Sequence, residues 1–88
     1  MKLQTKFSRV IEYEVPSYYK SNYNDYYFRI TADGVTKVYD TMLYFIPSDE
    51  SNSYFEEIAN IVDRCKQVSD KEYLLKAQET LNTFKNII

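Results

Sequence analysis

The chain has 88 residues, a formal net charge of −2 and a hydrophobic fraction of 44%, which fits a single domain over residues 1–88 with no room for a second core. It contains ten tyrosines, one cysteine, one glycine and no histidine. This composition excludes catalytic triads with a His base, His-ligated metal sites, zinc fingers and Gly-rich phosphate loops, so we expect no enzyme, no metal and no cofactor.

Residues 2–15 alternate between apolar and polar side chains. Leu3, Tyr13 and Val15 fall on one side, whereas Glu12 and Glu14 fall on the other. A period of two predicts a half-buried strand, and Pro16 should end it because proline cannot donate to a sheet ladder. The two glutamates are then expected on the solvated strand face, not in a catalytic carboxylate pair.

The stretch from Pro16 to Asp25 has no regular apolar period and many turn-forming residues, which predicts a loop. Rigid tyrosine rings among small polar residues are typical of protein-binding loops. We therefore predict that Tyr18, Tyr19, Lys20 and Tyr23 contact a partner. In the alternative, these rings fold back onto the sheet and fill the core.

Two β-rich runs follow, residues 26–31 and 35–46, with Asp33-Gly34 as a hairpin signal between them. A two-residue turn would place Phe28 opposite Tyr39, whereas a bulged three-residue turn would place it opposite Val38. The bulged turn matches the aliphatic positions better. The continuous apolar run 42–46 predicts a central strand that is covered on both faces.

Two helices are predicted after Pro47. Ser53 and Ser69 each precede a glutamate by three residues, as in capping boxes, and the break between the helices is expected at Ser69-Asp70. The apolar positions recur at helical spacing in both: Ile58, Ile61, Val62, Cys65 and Val68 in the first, and Leu74, Ala77, Leu81, Phe84 and Ile88 in the second. The expected fold is α+β, a three-stranded antiparallel β-meander covered on one face by two C-terminal helices (β-β-β-α-α).

Four acidic residues lie at or before the start of the first predicted helix: Asp49, Glu50, Glu56 and Glu57. Carboxylates at this position stabilise the helix dipole. They could also dock on a basic groove of another protein, and on that hypothesis they belong to the partner-binding site.

The composition favours a non-catalytic protein-binding module. One specific hypothesis is a small phage or mobile-element inhibitor of a nucleic-acid-processing protein such as a nuclease, comparable in size and charge to anti-CRISPR proteins. Two alternatives are a single-stranded nucleic-acid binder that uses sheet-face tyrosines, which the net charge makes less favourable, and a structural or regulatory homodimer joined through the C-terminal helix.

Two further expectations concern location. The first ten residues lack the apolar centre of a signal peptide, and no stretch reaches the length of a membrane span. The lone Cys65 suits a reducing compartment. We therefore expect a cytoplasmic protein that does not enter a membrane.

Overall fold

The computed structural model describes residues 1–4, 10–39, 42–49 and 51–87. Within them the chain forms seven strands and two helices. In chain order these are β1 (Lys2–Gln4), β2 (Glu12–Glu14), β3 (Ser17–Ser21), β4 (Tyr27–Thr31), β5 (Gly34–Val38), β6 (Leu43–Pro47), α1 (Asn52–Arg64), β7 (Cys65–Gln67) and α2 (Asp70–Ile87).

The α+β class is confirmed, but the three-stranded meander is wrong. Strands β3 to β7 form one antiparallel five-stranded sheet in the order β6-β5-β4-β3-β7. Four of them follow one another as a meander, and β7 joins the edge at β3 after the chain has passed through α1. The edges of this sheet are therefore β6 and β7.

The predicted strand over residues 2–15 is instead a short hairpin of β1 and β2, separate from the main sheet, with Leu3 opposite Tyr13. Residues 5–9 of the prediction lie outside the described part of the chain. The alternation is correct for β2, since Tyr13 and Val15 are buried and both neighbouring glutamates are exposed.

The predicted loop at Pro16–Asp25 is wrong over its first half, because Ser17–Ser21 is the strand β3 and pairs with β4 on one side and β7 on the other. Residues 22–25 form bends between β3 and β4, as a loop requires. Helices cover both faces of the sheet at this strand. Tyr18 and Tyr19 therefore both pack against protein, so the apolar-polar alternation that normally reveals a strand is missing.

Neither predicted hairpin register is correct. Ile30 pairs with Val35 and Thr31 with Gly34, so the turn is Ala32-Asp33, one position earlier than the Asp-Gly signal suggested. Gly34 is the first residue of β5, with φ of +153°, and a Cβ there would lie 2.2 Å from the carbonyl oxygen of Ile46. The glycine thus serves the close approach of β6, not the turn.

The run over residues 35–46 divides into two strands, β5 and β6, which pair antiparallel with Val38 opposite Leu43. The prediction of a central strand at Met42–Ile46 is wrong, since β6 is the sheet edge. The sequence of an apolar strand does not show whether further strands lie on both sides of it. In this sheet no described strand pairs with the outer side of β6.

The two helices lie on opposite faces of the sheet, not on one face as predicted. The α1 face of the sheet carries Tyr19, Phe28, Ile30 and Val35, which form the core with the hairpin residues Tyr13 and Val15 and with Tyr54, Phe55, Ile58 and Ile61 of α1. The alternate residues form the α2 face, where the Tyr18 ring contacts that of Tyr73 and the Tyr27 hydroxyl donates to Glu72.

The helix starts are partly as predicted. Ser69 caps α2, since its Oγ accepts a hydrogen bond from the amide of Glu72 at 3.2 Å. The first cap is Ser51, whose Oγ accepts from the amide of Tyr54, and not Ser53. Cys65 was assigned to the first helix, but α1 ends at Arg64 and Cys65 begins β7.

The apolar stripe predicted for α2 does not coincide with the buried side of the helix. Tyr73 and Thr80 are buried against the sheet, and Thr80 Oγ1 donates to the carbonyl oxygen of Tyr39 at 2.8 Å. Leu74 and Leu81 are exposed. Ile88 and the side chain of Phe84 lie outside the described part of the chain.

Neither helix of the described residues has the length and apolar character needed to cross a membrane.

Candidate functional site

The tyrosines predicted to bind a partner are not gathered in one place. Tyr19 is 7% exposed and belongs to the core, whereas Tyr18 lies on the opposite sheet face, with its ring centroid 5.2 Å from that of Tyr73. Tyr23 is 88% exposed. Lys20 is half-buried, and its Nζ lies 3.9 Å from Asp25 Oδ1. Within this predicted set, Tyr23 alone offers a largely open ring.

Some residues of the predicted acidic site form contacts within the molecule. Asp49 accepts a hydrogen bond from the amide of Ser51 at 2.8 Å and another from its hydroxyl, and these two bonds lower the pKa of the Asp49 carboxyl. Asp49 thereby orients the capping serine of α1. Glu56 is exposed on the helix, and Glu50 lies outside the described residues.

Glu57 forms an ion pair with Lys37 of β5, with 2.6 Å between Oε1 and Nζ. Burial alone would lower the pKa of Lys37, but the hydrogen bond and the charge of Glu57 outweigh it and raise that pKa. The Lys37 ammonium also lies 5.9 Å from the centroid of the Phe28 ring. This pair joins α1 to the sheet, so Glu57 has a structural role.

A different surface stands out, and it was not among the predicted site residues. Met42, Leu43, Tyr44 and Phe45 are each between 49% and 56% exposed, although all four are large and apolar. They form β6 and the residue before it, at the edge of the sheet. Their clustering makes this edge an exposed apolar patch, which is a mark of an interaction site.

The main-chain groups of β6 can be assigned from its pairing with β5. The amide of Tyr39 donates to the carbonyl oxygen of Met42, and the amide of Ser48 donates to the carbonyl oxygen of Asp33, both at 2.8 Å. Bonded and non-bonded pairs alternate along an antiparallel ladder. Leu43, Phe45 and Pro47 therefore turn their main-chain groups away from β5.

No strand of the described residues pairs with this outer side of β6. Because proline has no N–H, the edge offers two amide donors, from Leu43 and Phe45, and the carbonyl oxygens of all three outward residues. A partner strand laid alongside could bond to each of these groups.

The opposite edge of the sheet is built differently. β7 has three residues, of which Lys66 and Gln67 are exposed. Short length and a lysine are the usual protection of a sheet edge against unwanted pairing. Cys65 of the same strand is half-buried, and burial raises the pKa of its thiol, which keeps it protonated and unreactive near neutral pH.

A shallow depression of about 450 Å³ adjoins β6 on the α2 face. Its lining combines one aromatic ring and three small apolar residues with polar and charged groups: Val15, Pro16, Arg29, Thr31, Ala32, Asp33, Thr36 and Phe45. It is open to solvent and large enough to take a side chain of a strand placed next to β6.

The described residues contain no group of three or more His, Cys, Asp or Glu side chains arranged to hold a metal ion. The sheet face that carries Tyr18 and Tyr27 lies against α2, so these rings do not form the open stacking platform that the nucleic-acid alternative requires.

Comparison of the chain with protein-family models, with curated proteins and with solved structures gives no match.

One sequence signal could have revealed that residues 35–46 form two strands. The β-rich run over residues 35–46 is twelve residues long, about twice the usual length of a strand, and Asp40 stands in its middle. A turn near this aspartate would have divided the run into two strands. It would not have shown which of them lies at the edge.

Proposed function

We propose that the protein is a non-catalytic binding module that holds an extended segment of another polypeptide as an added strand along β6. One observation carries the proposal: this edge is a five-residue strand without a charged side chain, and its residues Leu43, Tyr44 and Phe45 are about half exposed. Proteins usually protect such edges by charge, short length or cover. Most of β6 has neither charged side chains nor a covering segment, and such an edge fits recognition by strand addition.

The two sources of binding energy have different roles. The outward main-chain groups of Leu43 and Phe45 fix the alignment of an added strand whatever its sequence, since every residue except proline offers the same N–H and C=O. The side chains beside them supply apolar contact. We assign selectivity to the depression lined by Arg29, Thr36 and Phe45, because it begins at Phe45 on the α2 face and a long side chain of the added strand could extend across Phe45 into it.

Pro47 limits the length of the site. It ends the row of amide donors, so an added strand can pair fully only before it. The edge is thus suited to a short extended segment of a partner, on the order of five residues, and not to a long sheet.

The narrower hypothesis of an inhibitor that fills a basic groove stays a prediction, and so does a phage or mobile-element source. Asp49 and Glu57 already have partners within the molecule, at the helix cap and in the ion pair with Lys37. We therefore place the binding surface at β6 and not at the acidic residues.

Peptides selected from a random library against the immobilised protein provide the test. We expect selected peptides to bind in extended form and to slow hydrogen exchange at the amides of Leu43 and Phe45, which point outward. The amides of Tyr44 and Ile46 bond to β5 and should be protected with or without peptide.

Two variants at one position separate main-chain from side-chain recognition. Leu43→Pro removes an outward N–H without removing a bond to β5, and proline is tolerated in this position of an edge strand. Leu43→Ala keeps the N–H and loses the side chain. We expect Leu43→Pro to weaken peptide binding at least tenfold, which corresponds to about 1.4 kcal/mol or more. Leu43→Ala should weaken it less.

A third variant, Tyr23→Ala, removes an exposed ring that is not part of β6 and should leave binding unchanged. Selected peptides that protect other amides, or that bind Leu43→Pro as well as the original protein, would refute strand addition at this edge.

A further inference from the structure

We infer that the polypeptide added to β6 is a second copy of this chain, so that two β6 strands pair antiparallel across a two-fold axis. The inference rests on the proposed function, since it names the occupant of the same edge.

The pattern of outward groups is symmetric about Tyr44. With the axis at this residue, Leu43 of one copy faces Phe45 of the other, and Phe45 of the first faces Leu43 of the second. Both are outward positions, so each facing pair exchanges two N–H···O=C bonds. All the outward amides of both strands are then used. If the axis is moved one residue toward Pro47, each Leu43 faces a residue that has no amide to donate.

The side chains are complementary in the same register. Leu43 and Phe45 lie on the α2 face of the sheet, so each leucine meets the phenylalanine of the other copy there. The two Tyr44 rings meet on the α1 face. Aromatic and aliphatic cross-strand pairs of this kind stabilise antiparallel sheets.

The absence of charge from β6 also favours a second copy. Charge complementarity is one means by which a strand selects a partner of different sequence. Residues Leu43–Pro47 contain no charged side chain, so two copies can approach without repulsion between strands. The β7 edge differs, because its pairing with itself would bring the Lys66 side chains of two copies close together.

The area of the patch sets the expected strength. The half-exposed rings of Tyr44 and Phe45 can each bury about 100 Å² on pairing, and the smaller side chains of Met42 and Leu43 add less, so the four residues contribute at most about 400 Å² per copy. A stable interface buries about 800 Å² per partner. The pairing should therefore be reversible, with monomers at low and dimers at high protein concentration.

Sedimentation equilibrium of the whole chain, from low micromolar to near-millimolar concentration, tests the inference. We expect dimers to form at the upper end, together with slower hydrogen exchange at Leu43 and Phe45. Leu43→Pro should remain monomeric throughout. Leu75→Lys changes an exposed leucine of α2 and should dimerise like the original protein. Loss of the dimer in Leu75→Lys but not in Leu43→Pro would place the contact on α2 and overturn the inference.

Cross-linking tests the position of the axis. In a Cys65→Ala background, Tyr44→Cys places two thiols directly opposite each other, and oxidised glutathione should join them into a disulfide-linked dimer. In Leu43→Cys each thiol faces Phe45 of the other copy, so the two thiols do not lie opposite each other and should cross-link far less. Equal cross-linking of both variants would refute this register.

The outcomes also separate the two proposals. A chain that stays monomeric at every concentration, yet binds library peptides with protection of Leu43 and Phe45, overturns the second copy and keeps strand addition. A chain that shows neither dimer nor peptide binding overturns both.

Discussion

Replacement of Gly34 by alanine is the sharpest test of how β6 is held against the sheet. The added Cβ would lie 2.2 Å from the carbonyl oxygen of Ile46 and 2.7 Å from Cζ of Phe45, and the φ of +153° is rarely adopted by residues other than glycine. The phenylalanine ring could rotate away. The carbonyl oxygen belongs to the main chain of β6, so the clash is relieved only if β6 moves away from β5.

Two costs add in this variant. Backbone strain at an unfavourable φ costs about 1–3 kcal/mol. Overpacking against main-chain atoms costs about another 1–3 kcal/mol. A domain of this size has a free energy of unfolding of about 5–10 kcal/mol, so Gly34→Ala should remove a large part of it.

Urea unfolding followed by circular dichroism measures the loss, with hydrogen exchange to locate it. We expect a lower midpoint and faster exchange at Tyr44 and Ile46, whose amides bond to β5. Ala32→Gly, in the adjacent turn, is the matched control and should cost about 1 kcal/mol or less. If Gly34→Ala unfolds within about 0.5 kcal/mol of the original protein, the close approach of β6 to β5 is wrong.

Three further predictions concern side chains. Tyr19→Ala should lower the free energy of unfolding by about 3–5 kcal/mol because the ring lies in the core, whereas Tyr23→Ala should change it by less than about 0.5 kcal/mol; equal effects in urea unfolding would contradict these positions. Two buried hydroxyls should contribute differently to the free energy of unfolding. Ser17 Oγ has no hydrogen-bond partner in the described structure, so Ser17→Ala should be neutral or stabilising. Thr80→Ala leaves a main-chain carbonyl oxygen without its hydrogen bond and should cost about 1–3 kcal/mol. Thermal melts of the two variants decide, and a larger loss at Ser17 would refute the assignment. Burial, together with nearby negative charges, raises the pKa of Tyr54 to about 12. The unfolded chain therefore loses the phenol proton near pH 10, whereas the folded protein keeps it, and this group should lower the free energy of unfolding by about 2–3 kcal/mol between pH 10 and pH 12. In Tyr54→Phe, the urea midpoint should depend less on pH over that range.

Among the signals that depend on near neighbours, the Ser69 cap and the alternation around Tyr13 are confirmed, whereas the Ser53 cap and both hairpin registers are wrong. Ser69 is the cap of α2 because its hydroxyl reaches an amide three residues further on. The alternation around Tyr13 gave the buried side of β2 because successive side chains of a strand point to opposite faces. The turn lies one residue before the Asp33-Gly34 signal, since a tight reversal needs turn-forming residues close to where it occurs.

The wrong predictions concern segments whose burial depends on contacts with distant parts of the chain. The sequence predicts a loop at β3 because protein covers both of its faces, so apolar and polar residues do not alternate, and its serines and lysine also prevent a continuous apolar run. The periodicity predicts that Leu74 belongs to the buried stripe of α2, but Tyr73 and Thr80 are buried instead, since Tyr73 meets the ring of Tyr18 and Thr80 meets the carbonyl oxygen of Tyr39.

The amino-acid sequence alone therefore determined the class of fold, the number of helices in the described chain and the absence of histidine chemistry, because composition, caps and periodicity act over a few residues. Only the tertiary structure decided that the most apolar strand, β6, lies at the sheet edge. Strand order depends on which segments meet after folding, and a strand carries the same side chains whether its outer main-chain groups find a partner or face solvent.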